Sequence, residues 1–148
     1  MAKLSFSAQV AAFAEKVPGA VEAVFRESVQ EVSEEMLKPV GQGGRMRVDT
    51  GFLRASALAS TTAMPRIIAG SGPAEGKAYL FDFAQIEAVI AGADITDTIY
   101  VGFTAGYAAH REFGANGQPP DAFVRSAAQQ WQTIVNRTAA DLKRRLGL

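Results

Sequence analysis

The sequence has no cysteine and a single histidine, His110, among 148 residues. Disulfides, thiolate zinc sites and cysteine nucleophiles are therefore excluded, and a reducing cytoplasm suits the chain. One imidazole cannot build a histidine-rich metal site. Net charge is also missing, since 15 Lys and Arg balance 15 Asp and Glu. That argues against salt-driven binding to nucleic acid or a membrane surface as the main task, which needs a large basic excess. No apolar run approaches the roughly 18 to 20 residues that span a bilayer. The opening MAKLSFSAQVAAFAEK has the outline of a signal peptide, but Ser5, Ser7 and Gln9 break its apolar stretch, so it reads as the start of a helix.

What is present suits one domain over residues 1–148, with 48% hydrophobic residues to build a single core. Ser7 to Lys38 is helical, with Val17, Val21, Val24, Phe25, Val32 and Met36 recurring at spacings of three and four. Pro18 either kinks this helix or opens a second one. Pro39 and the glycines from Gly41 to Gly44 end it. In Arg47 to Ser56, Asp49 or Thr50 caps a short helix near 50–57, Gly51 permits a tight turn and Leu53 is its buried anchor. Leu58 to Met64 reads as a weak strand stopped by Pro65, and Arg66 to Ala69 as a second short one. A helix near 82–91 starts at Asp82, paired with Gln85 in the manner of a capping box, and is closed by Gly92.

Thr98 to Gly114 organises the rest. Ile99, Val101 and Phe103 alternate with Thr98, Tyr100 and Gly102, the period of a half-buried strand. After an Ala105-Gly106 turn, a short helix near 107–113 sets Ala109 and Phe113 on one face and Tyr107, His110 and Arg111 on another, with Gly114 at a left-handed stop. Beyond Pro119-Pro120, Asp121 caps a final helix whose apolar stripe runs from Val124 through Trp131 to Leu146.

Chemical motifs fail in detail. GSGPAEGK has Ser71 at the first glycine position of a phosphate loop, Ala78 after Lys77, and no helix pattern following. His110-Arg111-Glu112 matches the His-x-Glu of zinc deaminases, which then require cysteines. No Gly-x-Ser-x-Gly elbow is present, and every acidic residue has a surface or capping explanation. The expectation is a non-enzymatic protein with no catalytic, metal or cofactor site, in which Tyr107, His110 and Arg111 line an interface. From residue 121 onward five Lys or Arg face two Asp, and up to residue 40 four face six Glu. A basic last helix and an acidic first one suit head-to-tail contact between copies.

Three stretches taken in order, VDTGFLRAS (48–56), VGFTAGYAAHREFG (101–114) and PPDAFVRSAAQQW (119–131), resemble the neck, minor tail or tail-completion proteins of long-tailed bacteriophages. The matching positions are Thr50, Gly51, Leu53 and Arg54, then Val101, Gly102, Tyr107, Ala108, Glu112 and Gly114, then Pro120, Phe123 and Arg125. A long region at about 70–92 is inserted relative to the commoner pattern.

The resemblance implies an α+β fold, with long N- and C-terminal helices packed on a small antiparallel sheet. It implies a structural virion protein, made in the bacterial cytoplasm, that joins tail to DNA-filled head. The expected partners are proteins on the head-connector and tail-tube sides and further copies in a ring, six-fold to match the tail, with transient non-specific contact to passing DNA and no membrane. Tail terminator and head-tail stopper are the alternatives, and a nucleic-acid-binding or hydrolytic protein is a third, from a different class. Thr50 and Gly51 then fix a turn, and Tyr107, Glu112 and Arg54 form a polar cluster locking it to the short helix.

Overall fold

A computed structural model describes residues 5–16 and 19–147. Within them the chain is α+β: seven α-helices and one two-stranded antiparallel sheet. The long N-terminal pattern divides into α1 (Phe6–Lys16) and α2 (Ala20–Leu37), and Gly19, at φ +80°, precedes α2 in the left-handed conformation that glycine tolerates best. Val17 and Pro18 lie outside the described residues. On α2 the side turned inward carries Val29, Met36 and Leu37, with Ser33 bonded back to the Val29 carbonyl at 2.7 Å. Lys38 leaves the helix extended, as a residue before proline prefers.

A turn of 3-10 helix (Val40–Gln42) leads through Met46, wholly buried, to α3 (Phe52–Ala55) and β1 (Ala57–Ser60). The strand is shorter than Leu58 to Met64, because the Ser60 hydroxyl accepts the amides of Thr62 and Ala63 and turns the chain away. The expected strand at Arg66 to Ala69 does not form. Its segment attaches by one bond, the Ile68 amide donating to the Thr104 carbonyl at 2.9 Å.

Helix α4 (Ala84–Gly92) buries Ile86 and Ile90. Asp82 accepts the Ala84 amide, but Gln85 leaves the helix start and pairs with β1. Strand β2 (Tyr100–Phe103) runs antiparallel to β1, from Ala57 opposite Phe103 to Ser60 opposite Tyr100. Phe103 meets Phe123 edge-on at 5.2 Å, joining sheet to helices over a core that includes Leu37, Leu53 and Ile86.

Helix α5 (Ala108–Phe113) buries Ala108 and Glu112 instead of Ala109 and Phe113, both of which are exposed. The final helix is two, α6 (Phe123–Ala128) and α7 (Trp131–Arg145). The break at Gln129-Gln130 rotates the stripe, so Val124 and Trp131 are exposed while Ile134, Thr138 and Leu142 are buried. Helix α7 lies along α2, and its basic residues pair there: Arg137 with Glu31 and Arg145 with Glu27. These two pairs join opposite charges of the two helices within one chain. Among the described residues no helix is long and apolar enough to cross a membrane.

Candidate functional site

The three stretches that carry the resemblance meet at one corner of the fold. In the first, Gly51 has φ +85° and begins α3. A side chain there would overlap the Tyr79 carbonyl oxygen, because the chain crosses the turn and the Tyr79 amide donates to the Thr50 carbonyl at 2.7 Å. Thr50 Oγ1 accepts the Phe52 amide at 3.3 Å, so threonine and glycine divide the capping between them. Leu53 is buried below, the anchor its position suggests. The Phe52 ring stands between Tyr79, edge-on at 5.1 Å, and Tyr107 at 6.3 Å.

Tyr107 therefore joins the second stretch to the first. Burial raises its phenol above the ordinary value of 10.0, against the Leu53 backbone amide and the Arg111 guanidinium, which favour the ionised form. The Ala105-Gly106 turn before it is clamped by the inserted region: the Gly106 amide donates to the Ser71 carbonyl at 3.0 Å, and Ser71 Oγ to the Thr104 carbonyl at 3.0 Å.

Glu112 connects the second stretch to the third. One carboxylate oxygen accepts the Val124 amide at 2.9 Å, and the other accepts the Arg125 amide and Arg125 Nε, each at 3.0 Å. Arg125 Nη2 returns a bond to the Glu112 carbonyl at 3.0 Å while its guanidinium lies over the Phe113 ring. A buried acid on α5 thus caps the N-terminus of α6, where amides lack partners and the dipole favours negative charge. Phe123, almost wholly buried, anchors the same turn.

Asp121 does not cap α6. Its carboxylate, also buried, takes the Arg47 backbone amide at 3.0 Å and pairs with Arg47 Nε. Arg47 then donates to the Gln118 side chain at 3.1 Å and to the Pro119 carbonyl at 2.8 Å, fixing the Pro-Pro loop to the segment before the Thr50 turn. The sequence suggests Asp121 only as a helix cap and gives Arg47 no role, and nothing local signals a pair that spans the chain from 47 to 121.

Two expectations need correction. The cluster of Arg54, Tyr107 and Glu112 does not form: the Glu112 carboxylate is taken by α6, Tyr107 packs on Phe52, and Arg54 Nε donates to the Leu37 carbonyl at 2.8 Å while its guanidinium covers the Phe81 ring at 4.9 Å, tying α3 to the end of α2. Gly114, at φ +84° and ψ +150°, is extended with positive φ and not left-handed helical. It remains a glycine position, since a side chain would crowd the Gln118 carbonyl oxygen at 2.9 Å.

His110, Arg111 and Glu112 face three environments. His110 is exposed, Arg111 half-buried and Glu112 buried. Arg111 borders a cleft of about 110 Å³ between the Thr50 turn and α5, lined also by Arg47, Asp49 and Tyr107. Arg111 and His110 both line an adjoining hollow of about 260 Å³ with Gln118. Among the described residues no group of three or more His, Asp or Glu stands together to hold a metal ion. Set against protein-family models, curated proteins and solved structures, the chain matches none.

Proposed function

We propose that this protein is a structural component of the neck of a long-tailed bacteriophage or phage-like particle, joining the tail to the DNA-filled head as a tail-completion protein. One observation supports the reading above others. The three resembling stretches, separated in the chain, join at one corner through Phe52 to Tyr107 and Glu112 to Val124 and Arg125.

The polar groups of this corner bind backbone, which favours a load-bearing role over catalysis. Both oxygens of Glu112 are occupied by α6, and Asp121 is held by Arg47. A general acid or base has to reach a substrate proton, and neither carboxylate is turned toward an open cleft. The reading is therefore non-enzymatic, with copies arranged as a ring between head connector and tail tube. DNA passing through such a ring meets it through weak, salt-sensitive contacts without sequence preference.

Immunogold labelling of particles with antibody to this chain tests the assignment. Label at the junction of head and tail supports it. Label on the tail tip or the capsid shell, or particles that carry none of the protein, removes it.

A further inference from the structure

Four arginines are half-buried: Arg26, Arg47, Arg54 and Arg111. Three of them have their guanidinium bonded to the protein. Arg26 Nε donates to the Ala93 carbonyl at 2.9 Å, Arg54 Nε to the Leu37 carbonyl at 2.8 Å, and Arg47 pairs with Asp121. The Arg111 side chain, among the described residues, makes no hydrogen bond and no ion pair. Tyr107 beside it is uncharged at neutral pH, since burial raises its phenol above 10.0. Asp49, which borders the adjoining cleft, forms no pair with it. A charge partly withdrawn from water without an acceptor costs stability, and an external acceptor recovers that cost.

The space beside Arg111 is built from donors. The hollow of about 260 Å³ is bordered by Arg47, Tyr107, His110, Arg111, Asn116 and Gln118, and no carboxylate lines it. The Gln118 side chain is oriented there: its Oε1 accepts from Arg47 Nη1 at 3.1 Å, which leaves its amide N–H groups for another acceptor. Arg47 is itself held by Asp121 and by the Pro119 carbonyl at 2.8 Å. The turn carrying Gln118 is fixed as well, since its amide donates to the Ala115 carbonyl at 2.9 Å and Asn116 and Gly117 both have positive φ, the pairing that a two-residue hairpin turn needs.

We propose that this hollow binds a carboxylate, carried by an acidic side chain of a neighbouring protein, with Arg111 as its ion-pair partner and His110 and Gln118 as further donors. The planar guanidinium and the carboxylate match as a pair of parallel bonds, the strongest contact a half-buried arginine can make. The same chemistry already holds this corner together within the chain, at Arg47 with Asp121 and Arg125 with Glu112.

Charge selects the ligand. Asp121 neutralises Arg47, so one guanidinium is left over and one negative charge balances it. A phosphate monoester, at about −1.5 to −2, exceeds that balance and meets Asp49 in the adjoining cleft. A nucleic-acid backbone engages several cations at once, which a single unpaired arginine in a chain of zero net charge does not supply. The inference rests on the chemistry of the hollow and not on the neck reading.

Nuclear magnetic resonance of the full chain reads the hollow directly, because His110 is its single histidine. The probes are acetate and a capped Gly-Asp-Gly tripeptide, each replacing chloride at fixed pH and ionic strength. Saturable shifts of the His110 ring, Arg111 Nε–H and the Gln118 side-chain amide are expected for both, with a Kd on the order of tens of millimolar, as suits one charge-assisted contact in water. Arg111→Gln should abolish saturation, while Arg66→Gln, at an exposed arginine that borders neither the hollow nor the cleft, should keep the wild-type response. Because the Arg111 side chain bonds nothing in the chain, Arg111→Gln should also melt within about 4 °C of wild type. A larger fall would make Arg111 a structural residue and overturn the inference. So would shifts unchanged in Arg111→Gln, inorganic phosphate binding more tightly than acetate, or a tripeptide that fails to bind where acetate does. Head-tail joining is read in particles, so the two ideas can fail separately.

Discussion

Glu112 caps a helix to which it does not belong: its carboxylate, on α5, holds the first amides of α6 at Val124 and Arg125 at 2.9 and 3.0 Å. The local sequence offers another cap, Asp121, two positions before Phe123. That residue is taken by Arg47, and the glycine turn at Gly114 brings α5 back so that Glu112 reaches α6. One buried acid thereby holds the second and third resembling stretches together.

Glu112→Ala should cost about 2–4 kcal/mol, because a buried carboxylate that accepts two helix-start amides and Arg125 Nε is lost. Arg125→Ala should cost less, about 1 kcal/mol, since its guanidinium is half exposed. Chemical denaturation of both variants checks the order, and an Arg125 effect equal to or larger than that of Glu112 would contradict the capping role.

Gly51 and Gly70 share a positive φ and differ in their surroundings. A side chain at Gly51 would meet the Tyr79 carbonyl oxygen, whereas nothing lies within 4 Å at Gly70. Gly70→Ala should lose about 1 kcal/mol from backbone strain alone, and Gly51→Ala at least about 2 kcal/mol as residues 77–82 are pushed off the turn. Equal melting temperatures for the two variants would mean that the crossing at Tyr79 does not constrain the turn.

The raised pKa of Tyr107 ties stability to alkaline pH. Because the neutral phenol is favoured in the folded state, its contribution is complete below the ordinary value of 10.0 and is lost as pH rises through the higher folded value. Tyr107→Phe keeps the ring against Phe52 and removes the ionisation. Wild type should lose stability relative to Tyr107→Phe above pH 10, and parallel curves through that range would show that burial of the hydroxyl carries no linkage.

Local periodicity made much of the fold legible. The apolar spacing of α2, the alternation of β2 and the short helices following Gly51 and Ala105-Gly106 all come from patterns a few residues long. The split at Gln129-Gln130 was not legible, because no glycine or proline marks it and the apolar stripe continues across it in the sequence.

The site was half legible. Tyr107 meets Phe52 beside the Thr50 turn and Glu112 binds Val124 and Arg125, while Arg54 turns to α2 and His110 to solvent. Gln85 looked like a helix-start residue and instead imitates a strand beside Ala59. Such roles depend on which elements meet in space, and local spacing does not record that. The same reason explains why the two ion pairs between α2 and α7, Arg137 with Glu31 and Arg145 with Glu27, were not legible in the sequence.

The most direct test of the central claim is electron microscopy of lysates from a phage or phage-like particle lacking this gene. The account predicts DNA-filled heads beside separate tails of normal length. Overlong tails would reassign the chain as a terminator, and heads that leak their DNA as a stopper. Normal, infectious particles would contradict a place in the neck.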